Sequence, residues 1–231
     1  MASPLLSVSN LRKTYGSGPS AFEALKGLDL DIAAGESIAI IGKSGSGKST
    51  LMHLLALLDR PTSGTITLDG TDTSRLSAKQ LNETRNSTFG FVFQQFFLNA
   101  RASVLDNVTL PLRIAGVPRR ERTARGLAAL SQLELDDKFA NKANDLSGGQ
   151  KQRVVIARAL INQPRVIFAD EPTGNLDTAT GAVVEDILFD LNRRRGINLV
   201  LVTHDEDLAS RCDRSIYIRD GLLAAHAAVA A

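Results

Sequence analysis

Apolar and polar positions alternate in two stretches near the start of the chain, Leu5 to Tyr15 and Glu23 to Ile32, with Gly16-Ser17-Gly18-Pro19-Ser20 between them. A period of two belongs to a strand with one buried face, so this region predicts strand, loop, strand and an N-terminal antiparallel β lobe. Gly35-Glu36 predicts a turn into a short apolar strand, Ser37 to Ile41, and Leu51 to Leu58 predicts a helix. Thr65 to Leu68, with Asp69-Gly70 behind it, predicts one more strand and its turn.

Further on, Phe89, Phe91 and Phe93 alternate with small or aliphatic residues, which lines one face of a strand with rings, and Gln94-Gln95 ends that strand in amides. From Val104 to about Leu135 the pattern becomes helical, broken at Pro118, and its many arginines predict a solvated face. A long helix is expected over Gln150 to Asn162, so the stretch from about 95 to 162 reads as an inserted helical lobe. Val166 to Ala169 is a continuous apolar run of the buried parallel-strand kind. A helix over Thr178 to Arg195 and strands over Asn198 to Thr203 and Arg214 to Arg219 complete an alternating α/β plan with a mostly parallel sheet. The whole chain, 1–231, is expected to be one domain, and the alanine-rich 222–231 a frayed or weakly helical tail.

Composition narrows this picture only modestly. The 27 Lys and Arg exceed the 25 Asp and Glu by two, so charge gives no mandate for nucleic acid, and none is expected as a partner. A single cysteine, Cys212, forbids an internal disulfide, suits a reducing cytosol and predicts an inert packed thiol. Met1 to Leu6 has no basic, apolar leader pattern, and no apolar run approaches the roughly 20 residues of a membrane span. Any membrane role is therefore expected to come through a partner chain.

The candidate chemistry begins at Gly42-Lys43-Ser44-Gly45-Ser46-Gly47-Lys48-Ser49-Thr50, a glycine-rich turn between an apolar strand and a helix. Gly42, Gly45 and Gly47 are expected to let the backbone curl at positive φ, so that successive N–H groups point into one anion-binding concavity. Lys48 adds a mobile cation for β- and γ-phosphates, and the Ser49 hydroxyl, opening the helix, is placed to ligate Mg²⁺. This pattern reads as a phosphate cradle, a P-loop, and it predicts a polyphosphate ligand with Mg²⁺. The strand ending in Asp170-Glu171 puts two carboxylates at the edge where ligands sit in open parallel sheets. Asp170 is expected to hold Mg²⁺, and Glu171 to polarise the attacking water. Ser147-Gly148-Gly149 ahead of a helix is a second phosphate-binding terminus, and His204 directly follows a buried strand. With Gln94, they form a specific set.

Taken together, these residues resemble the nucleotide-binding subunit of ATP-binding-cassette (ABC) transporters over nearly the whole chain. The family signature stands as Leu146-Ser147-Gly148-Gly149-Gln150. The resemblance implies that Tyr15 stacks on adenine, Gln94 senses Mg²⁺ and the γ-phosphate, Asp177 belongs to a loop crossing a dimer, and His204 contacts the γ-phosphate. It also implies a head-to-tail dimer with a second copy, in which the cradle of one and the Ser147 segment of the other enclose each ATP. Asp170-Glu171-Pro172-Thr173-Gly174-Asn175-Leu176-Asp177 and Gly90-Phe91-Val92-Phe93-Gln94-Gln95-Phe96 resemble the MacB, LolD and FtsE branch. That branch implies a transmembrane FtsX/MacB-like permease as partner, a peripheral place on the cytoplasmic face of a bacterial membrane, and export or extraction of haem, antibiotic, peptide or lipoprotein. An FtsE-like mechanical or regulatory ATPase, acting on cell-wall enzymes without transport, is the alternative. The chain departs from the branch at Phe97 and Ala100, where Asn and Pro are common, near the expected permease contact. A soluble ATPase head of DNA repair is disfavoured, because the chain has neither heptads nor a cysteine set.

Overall fold

In chain order the elements are β1 (Leu6–Tyr15), β2 (Phe22–Ile32), β3 (Ser37–Ile41), α1 (Lys48–Leu55), β4 (Ser63–Leu68), β5 (Thr71–Asp72), α2 (Ala78–Thr88), β6 (Phe89–Phe93) and α3 (Val104–Val108). There follow α4 (Leu110–Ile114), α5 (Arg119–Ser131), α6 (Gly148–Leu160), β7 (Val166–Asp170), α7 (Thr178–Arg195), β8 (Asn198–Val202), α8 (Glu206–Ser210), β9 (Arg214–Arg219) and β10 (Leu222–Ala224). The structure is a computed structural model and describes residues 4–224. Two compact units emerge, one from residues 4–81 with 198–224 and one from residues 82–197.

In the first unit an antiparallel sheet runs β2-β1-β4-β5, as the alternating N-terminal pattern predicts. Its register sets Leu6 against Ile32 and Leu68, and Val8 against Leu30 and Ile66. All six are buried, so the period of two has put one apolar face inside. The unit's other strands run β10-β9-β3-β8, with β3 parallel to both β8 and β9 and β10 antiparallel to β9. Every residue of β3 and of β8 is buried, which explains why both read as continuous apolar runs. Because β3 and β8 are parallel and Ile40 pairs with Val202, the chain leaves both strands at the same edge, toward Gly42 and His204. The opposite ends of β3 and β9 are fastened by Asp213, whose carboxylate accepts from the Ser37 N–H at 2.8 Å and hydroxyl at 2.7 Å.

Cys212 packs against Ala39, Ile41 and Ala209. Burial first, and then the Asp213 carboxylate, push its thiol up to about 12 against the opposing pull of Arg211. Packing and a raised pKa both favour the unreactive, protonated form of the thiol.

In the second unit β6 and β7 pair in parallel, from Phe89 with Val166 to Phe93 with Asp170. The fully buried Phe168 meets Phe89 edge-on at 5.2 Å and stacks with Phe91 at 5.9 Å. Truncating such a ring to Ala typically costs about 3–5 kcal/mol. Helix α6 packs on β6 and buries Val154, Val155, Ile156 and Ala157. The helical stretch after Val104 breaks twice rather than once, at Thr109-Leu110 ahead of Pro111 and again at Pro118.

Two expectations change. Helix α2 went unforeseen because it buries none of its residues and so carries no apolar period. At the other end, residues 222–224 form β10 against β9 instead of a frayed or helical tail, since the Asp220-Gly221 turn at φ 51° and 77° folds the chain back. The rest of that expected tail, 225–231, lies outside the described residues.

Candidate active site

The loop between β3 and α1 is built from the backbone outward. Gly45 and Gly47 adopt φ of 77° and 111°, as a curled anion-binding loop requires. Gly42 does not, and the expectation of positive φ there is corrected. A Cβ on Gly42 would lie 2.3 Å from the Ile218 carbonyl oxygen and 2.6 Å from the Ser46 hydroxyl, so close approach of β9 demands glycine at that point. The Ser46 N–H donates to the Lys43 carbonyl at 3.1 Å, and the Ser46 carbonyl accepts from Gly221 N–H at 3.0 Å, tying the loop to the β9–β10 turn. Lys48 Nζ donates to the carbonyls of Gly42 at 2.7 Å and Lys43 at 3.0 Å.

Helix α1 begins at Lys48, one residue before the expected Ser49. Its first N–H bonded back along the chain is that of Leu51, to Gly47 at 2.9 Å. The N–H groups of Lys48, Ser49 and Thr50 occupy the first turn, where a helix offers no internal acceptor and a partial positive charge. An oxyanion is the natural partner of that end.

A cavity of about 230 Å³ opens there, with Tyr15, Phe22 and Ala24 on one side and Ser44, Gly45 and Gly47 to Thr50 on the other. Tyr15 and Phe22 are cross-strand partners and both are exposed, 41% and 60%. Tyr15 is braced from behind: its hydroxyl donates to Asp59 at 3.0 Å, and Lys13 Nζ stands 4.8 Å from its ring centroid while donating to Asp59 at 2.8 Å. Burial pushes the Asp59 carboxyl up, but Lys13, the Arg60 N–H and the Tyr15 hydroxyl together hold it below its ordinary value. Sequence reasoning missed Phe22 and Asp59; the register of a strand pair is needed to find the first, and a fold to find the second.

His204 follows β8 and is exposed, between two pinned neighbours. The Thr203 N–H donates to Ile40 at 3.3 Å, and Asp205 caps α8 by accepting from Leu208 N–H at 3.0 Å. The first unit thus brings together Tyr15, the 42–50 loop and the strand edge that carries His204.

The second unit gathers the acids and amides. Asp170 ends β7 beside Phe93, and the Gln94 N–H donates to the Asp170 carbonyl at 2.8 Å. Glu171 follows at φ 44°, a left-handed conformation that costs a non-glycine residue on the order of 1–3 kcal/mol. Its carbonyl accepts from Gly174 N–H at 3.1 Å, closing a turn with Pro172 at its second position. The Asn175 amide donates to the Gln94 carbonyl at 2.8 Å, so Gln94 and the 170–175 loop are fastened at both ends.

Asp177 caps α7, accepting from the Thr180 hydroxyl at 2.7 Å and N–H at 3.0 Å. Those two bonds, the hydroxyl's first, lower its pKa. Ser147 and Gln150 form a reciprocal capping box on α6: the Ser147 hydroxyl accepts from Gln150 N–H, and the Gln150 amide oxygen accepts from Ser147 N–H. That leaves Gly148 and Gly149 in a half-buried first turn, where a groove of about 410 Å³ runs between Ser147, Gln150 and Arg153 of one helix and Thr180 and Val183 of the next.

No group of three or more His, Cys, Asp or Glu side chains among the described residues is placed to hold a metal by itself. The side chains expected to meet a metal offer a hydroxyl oxygen at Ser49 in the first unit, and an amide and a carboxylate oxygen at Gln94 and Asp170 in the second. Oxygen atoms of this kind suit a hard cation such as Mg²⁺.

A family model described as ABC transporter matches residues 25–174. The lipoprotein-releasing system ATP-binding protein LolD of Syntrophus aciditrophicus is 48% identical over 217 residues, which cover 94% of this chain and 97% of that one. The macrolide export ATP-binding/permease protein MacB of Nitrosomonas europaea is 49% identical over 96% of this chain, which spans 34% of that longer protein. Among solved structures, the ATP-binding cassette MJ0796, dimeric in a post-hydrolysis state bound to ADP and Pi, superposes with a TM-score of 0.85 at 43% identity, covering 95% of this chain and 97% of that one.

Proposed function

Because the chain belongs to the ABC transporter family, in its MacB/LolD-like branch, and is an ATP-hydrolysing cassette, we propose that it powers an FtsX/MacB-like permease that exports or extracts a hydrophobic or amphiphilic cargo. The observation that carries this reading is the end-to-end match with a lipoprotein-releasing ATP-binding protein, 97% of whose length is covered. No helix among the described residues is long and apolar enough to cross a membrane. Attachment to the cytoplasmic face through the permease is the arrangement proposed.

In this reading the N–H groups of the 42–50 loop, with Lys43, Ser44 and Ser46 shaping it, receive the β- and γ-phosphates, and Lys48 turns its ammonium from loop carbonyls to phosphate oxygens. Tyr15 stacks on adenine. Glu171 polarises the attacking water, and a general base of this kind contributes roughly 10²–10⁴-fold. Gln94 and His204 orient the water and the γ-phosphate. Ser49, Gln94 and Asp170 would hold Mg²⁺, which when bound neutralises charge on the phosphate oxygens. In a head-to-tail dimer, Ser147, Gly148, Gly149 and Gln150 of one copy cover the nucleotide in the other's loop, and Asp177 belongs to the segment between the copies.

The proposed permease contact is the departure at Phe97. It is 65% exposed at φ 45°, and Arg158 fixes its carbonyl at 2.8 Å and that of Phe96 at 3.1 Å. The ring meets Phe93 edge-on at 5.6 Å and is otherwise open to a partner. Reconstituting the subunit with its permease in liposomes tests the whole reading: an amphiphilic cargo, a triacylated lipoprotein first, is expected to stimulate ATP hydrolysis. Hydrolysis that responds to the permease but to no amphiphile would favour the regulatory alternative.

A further inference from the structure

Gln152 lies on α6, five residues beyond the Ser147 cap, and is 0% exposed. Its side-chain amide donates to the Pro172 carbonyl at 2.6 Å, while its own amide oxygen is buried and has no partner among the described residues. Only the nitrogen of an amide can face a carbonyl, so this orientation is imposed by Pro172 at the expense of the oxygen. A buried acceptor left unmet bears the full desolvation penalty of that group. The penalty has to be offset by what the other half of the amide does.

Pro172 is the second residue of the turn that starts at Glu171, and the turn's own hydrogen bond uses the Glu171 carbonyl and Gly174 N–H, not the Pro172 carbonyl. Gln152 supplies the missing donor to that buried group. The carbonyl it grips belongs to the residue directly after Glu171; Glu171 is held left-handed at φ 44°, although a following proline biases the residue ahead of it toward extended backbone. Strained conformations persist only where surrounding contacts over-determine them.

We propose that Gln152 is a positioning residue for hydrolysis: its bond to the Pro172 carbonyl ties the Ser147-capped helix to the turn that starts at the strained Glu171. The helix is a stiff lever, since five residues span only about 7 Å. Whatever engages the Ser147 end is thereby linked to the water-polarising carboxylate on the same chain. This rests on the reading that Glu171 polarises the attacking water.

The test is a four-way comparison of full-length protein: parent, Gln152→Met, Glu171→Gln and the double variant, with steady-state and single-turnover phosphate release and ATP affinity measured for each. A misplacement near 1 Å is worth roughly 100-fold, so Gln152→Met is expected to lose about that factor in kcat with KM and ATP affinity within about twofold of the parent. The double variant is expected to be no slower than Glu171→Gln alone, because the bond acts only through Glu171. Gln152→Asn, which keeps the amide but withdraws it by one methylene, carries the same expectation if Gln152→Met does not fold. Parental kcat in both Gln152 variants, or a full further loss in the Glu171→Gln background, would overturn the proposal while leaving the role of Glu171 standing. Parental hydrolysis by Glu171→Gln would overturn both.

Discussion

At the scale of single residues, Lys48 does two things that a substitution separates. It clasps the loop through the Gly42 and Lys43 carbonyls, and it is the proposed mobile cation for phosphate. The loop keeps its second anchor, the Ser46 carbonyl on Gly221 N–H, so Lys48→Ala should leave the fold standing. A lost charge-assisted hydrogen bond is worth about 1.5–3 kcal/mol, and so a 10- to 100-fold or greater loss of ATP affinity is expected, with little change in Tm. Titration with a fluorescent ATP analogue beside a thermal melt checks this, and parental affinity would unseat the cradle. Cys212 gives a pH-dependent expectation. Its folded pKa, raised to about 12 by burial, exceeds the roughly 8.5 of a free thiol. The protonated thiol therefore contributes stability fully below the unfolded value, and that contribution is lost as pH rises through the folded one. Iodoacetamide should modify the native thiol far more slowly than the unfolded one at pH 9, and Cys212→Ala should flatten the decline in stability above that pH; fast native labelling would contradict the burial.

Among the elements, α6 poses the question of whether Ser147 serves its own helix or a ligand. The capping box gives it a structural task, and replacing such a cap by Ala costs about 0.5–2 kcal/mol. Asp caps as well as Ser but brings a negative charge to the face proposed to meet the other copy's phosphates. Ser147→Asp should therefore keep the parental Tm and lose ATPase activity, whereas Ser147→Ala should lower Tm; undiminished hydrolysis by Ser147→Asp would restrict Ser147 to capping. The elements also show what is legible in a sequence and what is not. Strands β3, β7 and β8 announce themselves because burial on two faces leaves unbroken apolar runs, and the cradle because its backbone shape admits few residues. Helix α2 was invisible to periodicity, yet Ser77 and Gln80 exchange the capping-box bonds, and Ser-x-x-Gln was there to be read. Residues that act through the register or the third dimension, such as Phe22 opposite Tyr15, Asp59 behind it and Gln152 under Pro172, leave no local trace.

For the molecule as a whole, the decisive property is that each nucleotide is proposed to need two copies. A similar cassette forms a dimer bound to ADP and Pi, and this chain carries both required parts, the 42–50 loop and the Ser147-capped helix. If ATP bridges two copies and hydrolysis releases them, removing the chemistry without removing the binding should trap the bridge. Glu171→Gln is that separation, since the amide keeps the shape and reach of the carboxylate but cannot polarise water by charge. Loss of a general base costs roughly 10²–10⁴-fold in rate, slow enough for the ATP-bound dimer to outlive a chromatographic run, while Tyr15, Lys48 and the loop N–H groups still hold the nucleotide. With Mg²⁺ and ATP, Glu171→Gln is expected to elute as a dimer, and the parent as a monomer once its ATP is spent. Adding Lys48→Ala should abolish the shift, because the dimer is held by nucleotide and not by a protein surface alone. Phosphate release measured on the same fractions completes the experiment. Hydrolysis at the parental rate with no dimer peak would move the catalytic role from Glu171 to His204, and a dimer that forms without nucleotide would contradict ATP as the bridge.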